Sequence, residues 1–313
     1  MTTVETVLGP VEDSELGNTL SHEHVIVSAG DDIRHYPWMY DMDATRDRLV
    51  DELSEAKAGG IGAIIDLTTP DLGRDVEFVA EVSRLSGMHV IAGTGIWRDV
   101  PRSFWFRDPD AIADIFVREI EEGIGNTNIK AGAIKVANDA EGVTPEAELV
   151  LRGAARALKR TGCPISTHHW APKEVGTRQV EIFAEEGAPM DRICIGHTAD
   201  TTDVDYIESL ANAGVYISMD RYPGGGERPD SQTRTETVKA LIDRGWAERI
   251  MLGHDHAPQA SRVGRPTPPR DTPTRYLHVS TVALPAMREL GVDEETIDMM
   301  MREVPRRFLT GVV

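Results

Sequence analysis

The chain has 313 residues, 40% hydrophobic and 27% charged, with 33 basic against 52 acidic side chains and a formal charge of −19. This is the composition of a globular protein long enough to bury a large core, and its acidic balance argues against nucleic acid or an anionic membrane as partner. No apolar run approaches the roughly 20 residues that span a bilayer, and the first ten residues lack the basic and apolar stretches of an export leader, so a cytoplasmic location is expected.

Short apolar, β-branched runs alternate along the chain with amphipathic stretches. The leading segment Val4–Leu16, with Gly9-Pro10 as its turn, predicts a hairpin. Strands are expected at Thr19–Val27, Ala63–Thr68, Val90–Trp97, Ala131–Ala137, Pro164–His169, Ile193–Thr198, Val215–Tyr222 and Ile250–His256. Helices are expected at Ala44–Ala58, Asp75–Ser86, Asp110–Gly123, Pro145–Thr161, Val175–Glu186, Val204–Ala213, Gln232–Arg244 and Arg275–Leu290, with one or two short helices in Asp293–Val313. Thr144-Pro145-Glu146 is a helix start with a cap before proline, and Gly162, Gly187, Gly214, Gly245 and Gly291 stand where helices stop. Strand and helix alternating eight times predict an α/β (β/α)8 TIM barrel, with residues 1–313 as one domain. Cys163 and Cys194 lie at apolar runs and read as buried thiols, not as a disulfide framework.

The polar residues inside the strand runs carry the chemistry. His22 and His24 are two apart, so a strand projects both to one face while Glu23 points away. Lys135 sits in an apolar run, and His168, His197 and Asp255 fall toward the C-terminal ends of three later runs. A lone strand-end histidine is more often a hydrogen-bonded core residue than a ligand, a lone lysine an ion pair or Schiff-base group, a lone aspartate a loop cap. A barrel, however, gathers all six on one rim, where active sites lie. His169, His254 and His256 have the opposite parity and read as packing residues; Asp200 reads as an orienter of a histidine or a proton relay. The Pro- and Gly-rich loops 223–230 and 257–273 belong to the same face, and Arg262–Arg270 is expected as a flexible lid.

With these residues in place, the sequence resembles the phosphotriesterase family of the amidohydrolase superfamily over essentially its whole length. The likeness runs through Gly9-Pro10, Glu15-Leu16-Gly17, Thr19-Leu20-Ser21-His22-Glu23-His24, Ile129-Lys130-Ala131-Gly132-Ala133-Ile134-Lys135-Val136-Ala137, Ser166-Thr167-His168, Ile195-Gly196-His197, Asp255 and Pro305-Arg306-Arg307-Phe308. The resemblance implies two divalent metal ions, zinc first with cobalt, manganese or iron as alternatives. In that pattern His22, His24 and Asp255 hold the first ion, His168 and His197 the second. Lys135, carboxylated on its amine, bridges both. A bridging hydroxide then attacks a P=O or C=O centre polarised by one metal, and Asp255 takes the proton, so Asp255 and Lys135 are the expected catalytic residues. A homodimer is also implied.

Two further likenesses bear on substrate. Asp220-Arg221-Tyr222 resembles the lactonase branch, in which the arginine lines the cleft. Thr94-Gly95-Ile96-Trp97 with the short loop Arg98–Pro101 resembles the organophosphate-triester branch. Trp97, Trp170, Arg221 and Tyr222 are therefore the expected substrate-binding residues, while Trp105 reads equally as helix packing. The expected function is hydrolysis of a small neutral ester, either a lactone or an organophosphate triester. The alternatives are an amidase on an N-acyl compound using the same centre, and a catalytically silent ligand-binding barrel.

Overall fold

The computed structural model describes residues 2–28, 30–265 and 274–312. Strands β1 (Thr3–Thr6) and β2 (Gly9–Glu12) form the expected hairpin, but its turn falls at Val7-Leu8. Thr6 donates its hydroxyl to the Gly9 carbonyl and accepts from the Leu8 amide, which tightens the turn one step early. Pro10 then stands in a two-stranded ladder, where an imino acid is tolerated.

Eight strands follow: β3 (Asn18–Glu23), β4 (Ile61–Asp66), β5 (His89–Gly95), β6 (Ala133–Ala137), β7 (Ile165–His168), β8 (Ile193–Ile195), β9 (Tyr216–Met219) and β10 (Ile250–Leu252). Each pairs parallel with the next in chain order, giving a nearly closed barrel. The seam between β10 and β3 is joined just beyond the strand ends, where the Asp255 amide donates to the His22 carbonyl at 2.9 Å and the His24 amide to the His256 carbonyl at 3.0 Å.

Loop 24–41 carries the short helix α1 (Asp32–His35). The outer ring is α2 (Met42–Ala58), α3 (Val76–Ser86), α4 (Pro109–Glu121), α5 (Pro145–Thr161), α6 (Val175–Glu185), α7 (Val204–Asn212) and α8 (Ser231–Asp243). Side-chain caps start six of these: Asp41, Asp75, Asp108, Thr144, Asp203 and Asp230 each accept from the amide three residues on. Part of the acidic surplus is thus spent at helix N-termini, where negative charge is favourable.

The last expected helix, Arg275–Leu290, is present but irregular. A 3₁₀ turn at Arg275–Leu277 and a π stretch at Val279–Ala283 precede α9 (Leu284–Glu289). The tail repeats the pattern: α10 (Glu294–Asp298), a π stretch at Met299–Glu303, then α11 (Val304–Thr310). Pro285 and Pro305 explain both. Each lacks an amide and crowds the carbonyl four residues back, and a wider turn relieves that clash.

Val4, Leu16, Ile65, Ile91, Ala133, Cys194, Tyr216, Met251, Val304 and Phe308 fill the lower barrel in one buried cluster. The hairpin and α11 therefore plug the N-terminal end, and polar side chains gather at the other. Cys163 and Cys194 are free and buried, as expected. The expected lid Arg262–Arg270 lies partly outside the described residues; its described portion leans on loop 24–41, with the Val263 amide donating to the Met39 carbonyl at 3.0 Å. No described helix is long and apolar enough to cross a membrane.

Candidate metal centre

Parity along the parallel strands places the polar residues. His22 on β3, Lys135 on β6 and His168 on β7 project from their strands and are buried at the barrel mouth. His197 and Asp255 arrive differently. β8 stops at Ile195 and β10 at Leu252, both shorter than the expected runs, and the chain then turns through left-handed backbone, φ 64° at His197 and 52° at Asp255. Arg221, past the end of β9, does the same at 62°. Non-glycine residues in that region are held there by their surroundings, as is common at functional sites. Gly196 keeps the approach open: a Cβ there would lie 2.1 Å from the Thr167 carbonyl oxygen and 3.0 Å from His22 Nδ1.

Asp255 is the focus of the cluster. His24 Nε2 lies 3.2 Å and His22 Nε2 3.7 Å from its Oδ1, and His197 Nε2 lies 3.9 Å from its Oδ2. Potential ligand atoms of His22, His24 and Asp255 all fall within 4.8 Å of one another. Lys135 Nζ reaches His22 Nε2 at 2.8 Å. His168 is not one of that trio but stands beside His197, with ring centroids 4.5 Å apart.

The hydrogen-bond network tests whether cations fit. Thr68 gives its hydroxyl proton to Asp66 and can only accept from His24 Nδ1, at 2.9 Å. That assigns the proton to Nδ1 and leaves the lone pair on His24 Nε2, facing a carboxylate oxygen. His197 Nδ1 is held by Asp220 at 2.8 Å, so its Nε2 lone pair also faces inward. Two imidazole lone pairs and a carboxylate converging on one point are a donor set that suits a divalent cation. Burial pushes His22 and His168 down to about 4 and His197 well below the usual histidine range, which keeps them neutral, as ligation requires. Burial also pushes the Lys135 ammonium down to about 7, so a neutral amine is accessible near physiological pH. Asp255 is pushed up by burial, but the Arg221 guanidinium beside it holds its carboxyl well below the usual range.

Glu23, His254 and His256 lie behind the centre, as parity predicts. The Val279 amide donates to His254 Nε2 at 3.0 Å, so His254 Nδ1 carries the proton given to Glu23 at 2.8 Å. Glu23 also accepts from the amides of His254 at 2.7 Å and His256 at 3.0 Å. It thereby clamps the segment that carries Asp255 onto the end of β3. His169 Nδ1 donates to the Gly196 carbonyl at 2.6 Å, away from the centre.

The expected substrate residues separate. Trp97 is half-buried at the mouth, and its indole N–H points at His168 Nδ1 across 3.4 Å. Arg221 gives Nε to Asp255 at 2.9 Å and Nη1 to Asp200 at 2.6 Å. Trp170, half-buried, stands two residues past the end of β7. Tyr222 is only 1% exposed and turns inward, its hydroxyl against Thr235 at 3.3 Å and its ring stacked on His278. Trp105 is on the surface, bonded to the Val100 carbonyl.

Asp200 meets arginines where a histidine was expected: Arg221, Arg228 at 3.6 Å and the fully buried Arg234 at 2.7 Å. A guanidinium does not give up its proton, so Arg221 cannot pass one from Asp255 to Asp200; it can only hold the two carboxylates in place. Sequence reasoning assigned no role to Asp220, Thr68 or Arg234. For Asp220 a signal existed, since it is two residues beyond Ser218 on the same inward parity. For Arg234, on a surface helix by pattern, none did.

Residues 2–309 match the model of the phosphotriesterase family. A solved structure of the phosphotriesterase from Mycobacterium tuberculosis is 37% identical, with a TM-score of 0.89 and 98% of each chain covered. A second solved structure, from work engineering organophosphate hydrolysis from a weak promiscuous lactonase template, is 31% identical, with a TM-score of 0.90 over 99% of this chain and 100% of that one. The aryldialkylphosphatase of Saccharolobus solfataricus is 36% identical, covering 96% of this chain and 97% of its own. More distantly, rat N-acetyltaurine hydrolase is 28% identical over 98% of this chain and 97% of its own. The chain belongs to the phosphotriesterase family and is a hydrolase.

Proposed function

We propose that the protein is a binuclear-metal hydrolase of lactones or organophosphate triesters, with His22, His24 and Asp255 on one cation, His168 and His197 on the other, and carboxylated Lys135 between them. The observation that carries this is the set of histidine lone pairs directed at Asp255. Zinc suits imidazole and carboxylate donors, and a pair of such cations supplies Lewis acidity and an activated water. The residues supply the rest. A buried Lys135 amine, neutral in part near pH 7, would attack the carbon of CO₂, release one N–H proton and become a carbamate whose two oxygens would be available to the cations. Asp255 Oδ2, held by Arg221, accepts the proton of the attacking water. Its side chain is 19% exposed, so that proton leaves to solvent directly. Trp97 and Trp170 wall the mouth around an alkyl or aryl substituent, and Arg221 keeps its Nη2 donors for the polarised oxygen.

An N-acyl amide is the second reading, favoured by the likeness to N-acetyltaurine hydrolase. One comparison separates them: kcat/KM on a single zinc-loaded preparation for alkyl lactones, a neutral aryl phosphate triester and N-acetyltaurine. A lactone preference of about 100-fold, roughly 2.7 kcal/mol of transition-state selectivity, is the expected result. An equal preference for the triester would assign specificity to the Trp97 loop. Turnover of N-acetyltaurine alone would replace the ester reading.

We also propose a homodimer. Trp38 is 71% and Phe106 85% exposed, large apolar side chains for solvent to meet alone. Light scattering giving a monomer mass at micromolar concentration would overturn this.

A further inference from the structure

Asp220 lies just past the end of β9, below the mouth, and faces one histidine of each proposed cation pair. We propose that Asp220 is a positioning residue common to both cation sites, so that one carboxylate sets the affinity of both; this rests on the binuclear reading above. Its Oδ1 accepts from His197 Nδ1 at 2.8 Å. Its Oδ2 accepts from the His197 amide at 3.1 Å and from Ser218 Oγ at 2.8 Å. Oδ2 also lies 3.1 Å from His22 Nδ1, off the axis of a straight hydrogen bond. The two rings stack with centroids 4.4 Å apart. His22 belongs to the first site and His197 to the second, yet both turn Nδ1 to the same group.

That shared contact decides what each ring offers the cations. With the Asp220 carboxylate beside its Nδ1, His22 presents Nε2 near Lys135 at 2.8 Å, and His197, its Nδ1 bonded to Asp220, presents Nε2 toward Asp255 at 3.9 Å. Asp220 is not itself a ligand, although potential ligand atoms of His22, His197 and Asp220 also fall within 4.8 Å of one another. Its Oδ2 has two lone-pair positions, and the His197 amide and Ser218 take them, while Oδ1 faces the His197 ring. It is the acceptor behind two ligating imidazoles, fully buried and well placed to fix both tautomers.

Replacing Asp220 by asparagine keeps the shape but gives one oxygen and one NH₂. If the oxygen stays on His197, the NH₂ meets His22 Nδ1 and drives its proton to Nε2, the atom the first cation needs. If the amide turns over, His197 suffers the same exchange. Either way the negative charge behind both rings is gone.

The test is zinc uptake, measured as bound metal per chain against buffered free Zn²⁺, for wild type, Asp220→Asn and Thr68→Val. Thr68 supports His24 alone, so T68V weakens one of two uptake steps. D220N weakens both, each by about 10- to 100-fold. Either step unchanged in folded D220N would overturn the shared role. Should D220N fail to fold, Ser218→Ala trims a single donor from Oδ2 and is expected to lower both steps by less; no change in either would overturn it equally. Fewer than two zinc ions in the wild type would instead sink the binuclear reading, and that outcome is visible before any variant is compared.

Discussion

Lys135→Ala is expected to remove bound metal and activity together, lowering kcat/KM by about 10³-fold or more, equivalent to about 4 kcal/mol of transition-state stabilisation. Lys135 is 1% exposed and sits on β6 beside β7, which carries His168, with Nζ 2.8 Å from His22. An ammonium at that distance from a ligand atom repels a cation, whereas a carboxylated amine joins two of them. Alanine supplies neither oxygen, so the effect on occupancy comes before the effect on rate. Elemental analysis alongside kinetics checks this. Bicarbonate is also expected to speed zinc reloading of stripped wild type and to leave the variant unaffected. Retention of two zinc ions and full activity in the variant would exclude the bridging role.

Arg234→Ala carries the largest expected loss of stability, about 3 kcal/mol. The side chain is 0% exposed on α8. It donates Nη2 to Asp200 at 2.7 Å, Nη1 to the Asp220 carbonyl at 3.0 Å and Nε to the Pro229 carbonyl at 2.9 Å. One guanidinium thus ties the loops after β8 and β9 to the start of α8. Its removal orphans the Asp220 carbonyl, since Pro229 keeps the Gly225 amide, and an unsatisfied buried acceptor costs about 1–3 kcal/mol. Asp200 keeps Arg221, which is why the loss stays near the lower end of the range for a broken buried pair. A fall in Tm of about 4–5 °C follows for a chain of this size. Lysine should not rescue it, because a point charge cannot serve three acceptors in three directions. A melting curve that matches wild type would show that the loops do not depend on this anchor.

The barrel was legible because strand and helix periodicities differ and repeat. Most expected element boundaries fall within a few residues of those seen, and the exceptions have local causes. Pro285 puts a π stretch into the expected helix Arg275–Leu290, and Pro305 does the same in the tail. β8 and β10 ended early at Ile195 and Leu252, so His197 and Asp255 reach the mouth through left-handed turns that no alternation rule encodes. The rim residues His22, Lys135 and His168 follow from parity alone. Asp200 was visible, but its partners were not, since Arg221, Arg228 and Arg234 come from later segments.

By itself the sequence determined the barrel, the six polar residues on one rim and the family likeness, because each is written in local spacing and in the order of motifs along the chain. Tertiary structure alone decided which atom of each residue faces the centre. Thr68 turns His24, Asp220 turns His197 and draws His22, and Glu23 clamps the segment bearing Asp255. It also drew Tyr222 inward against Thr235 and His278, away from the mouth where Trp97 stands. These are contacts between residues tens to hundreds of positions apart. A tautomer, a left-handed turn or a buried ion pair depends on what the fold brings opposite a side chain, and no local pattern states that.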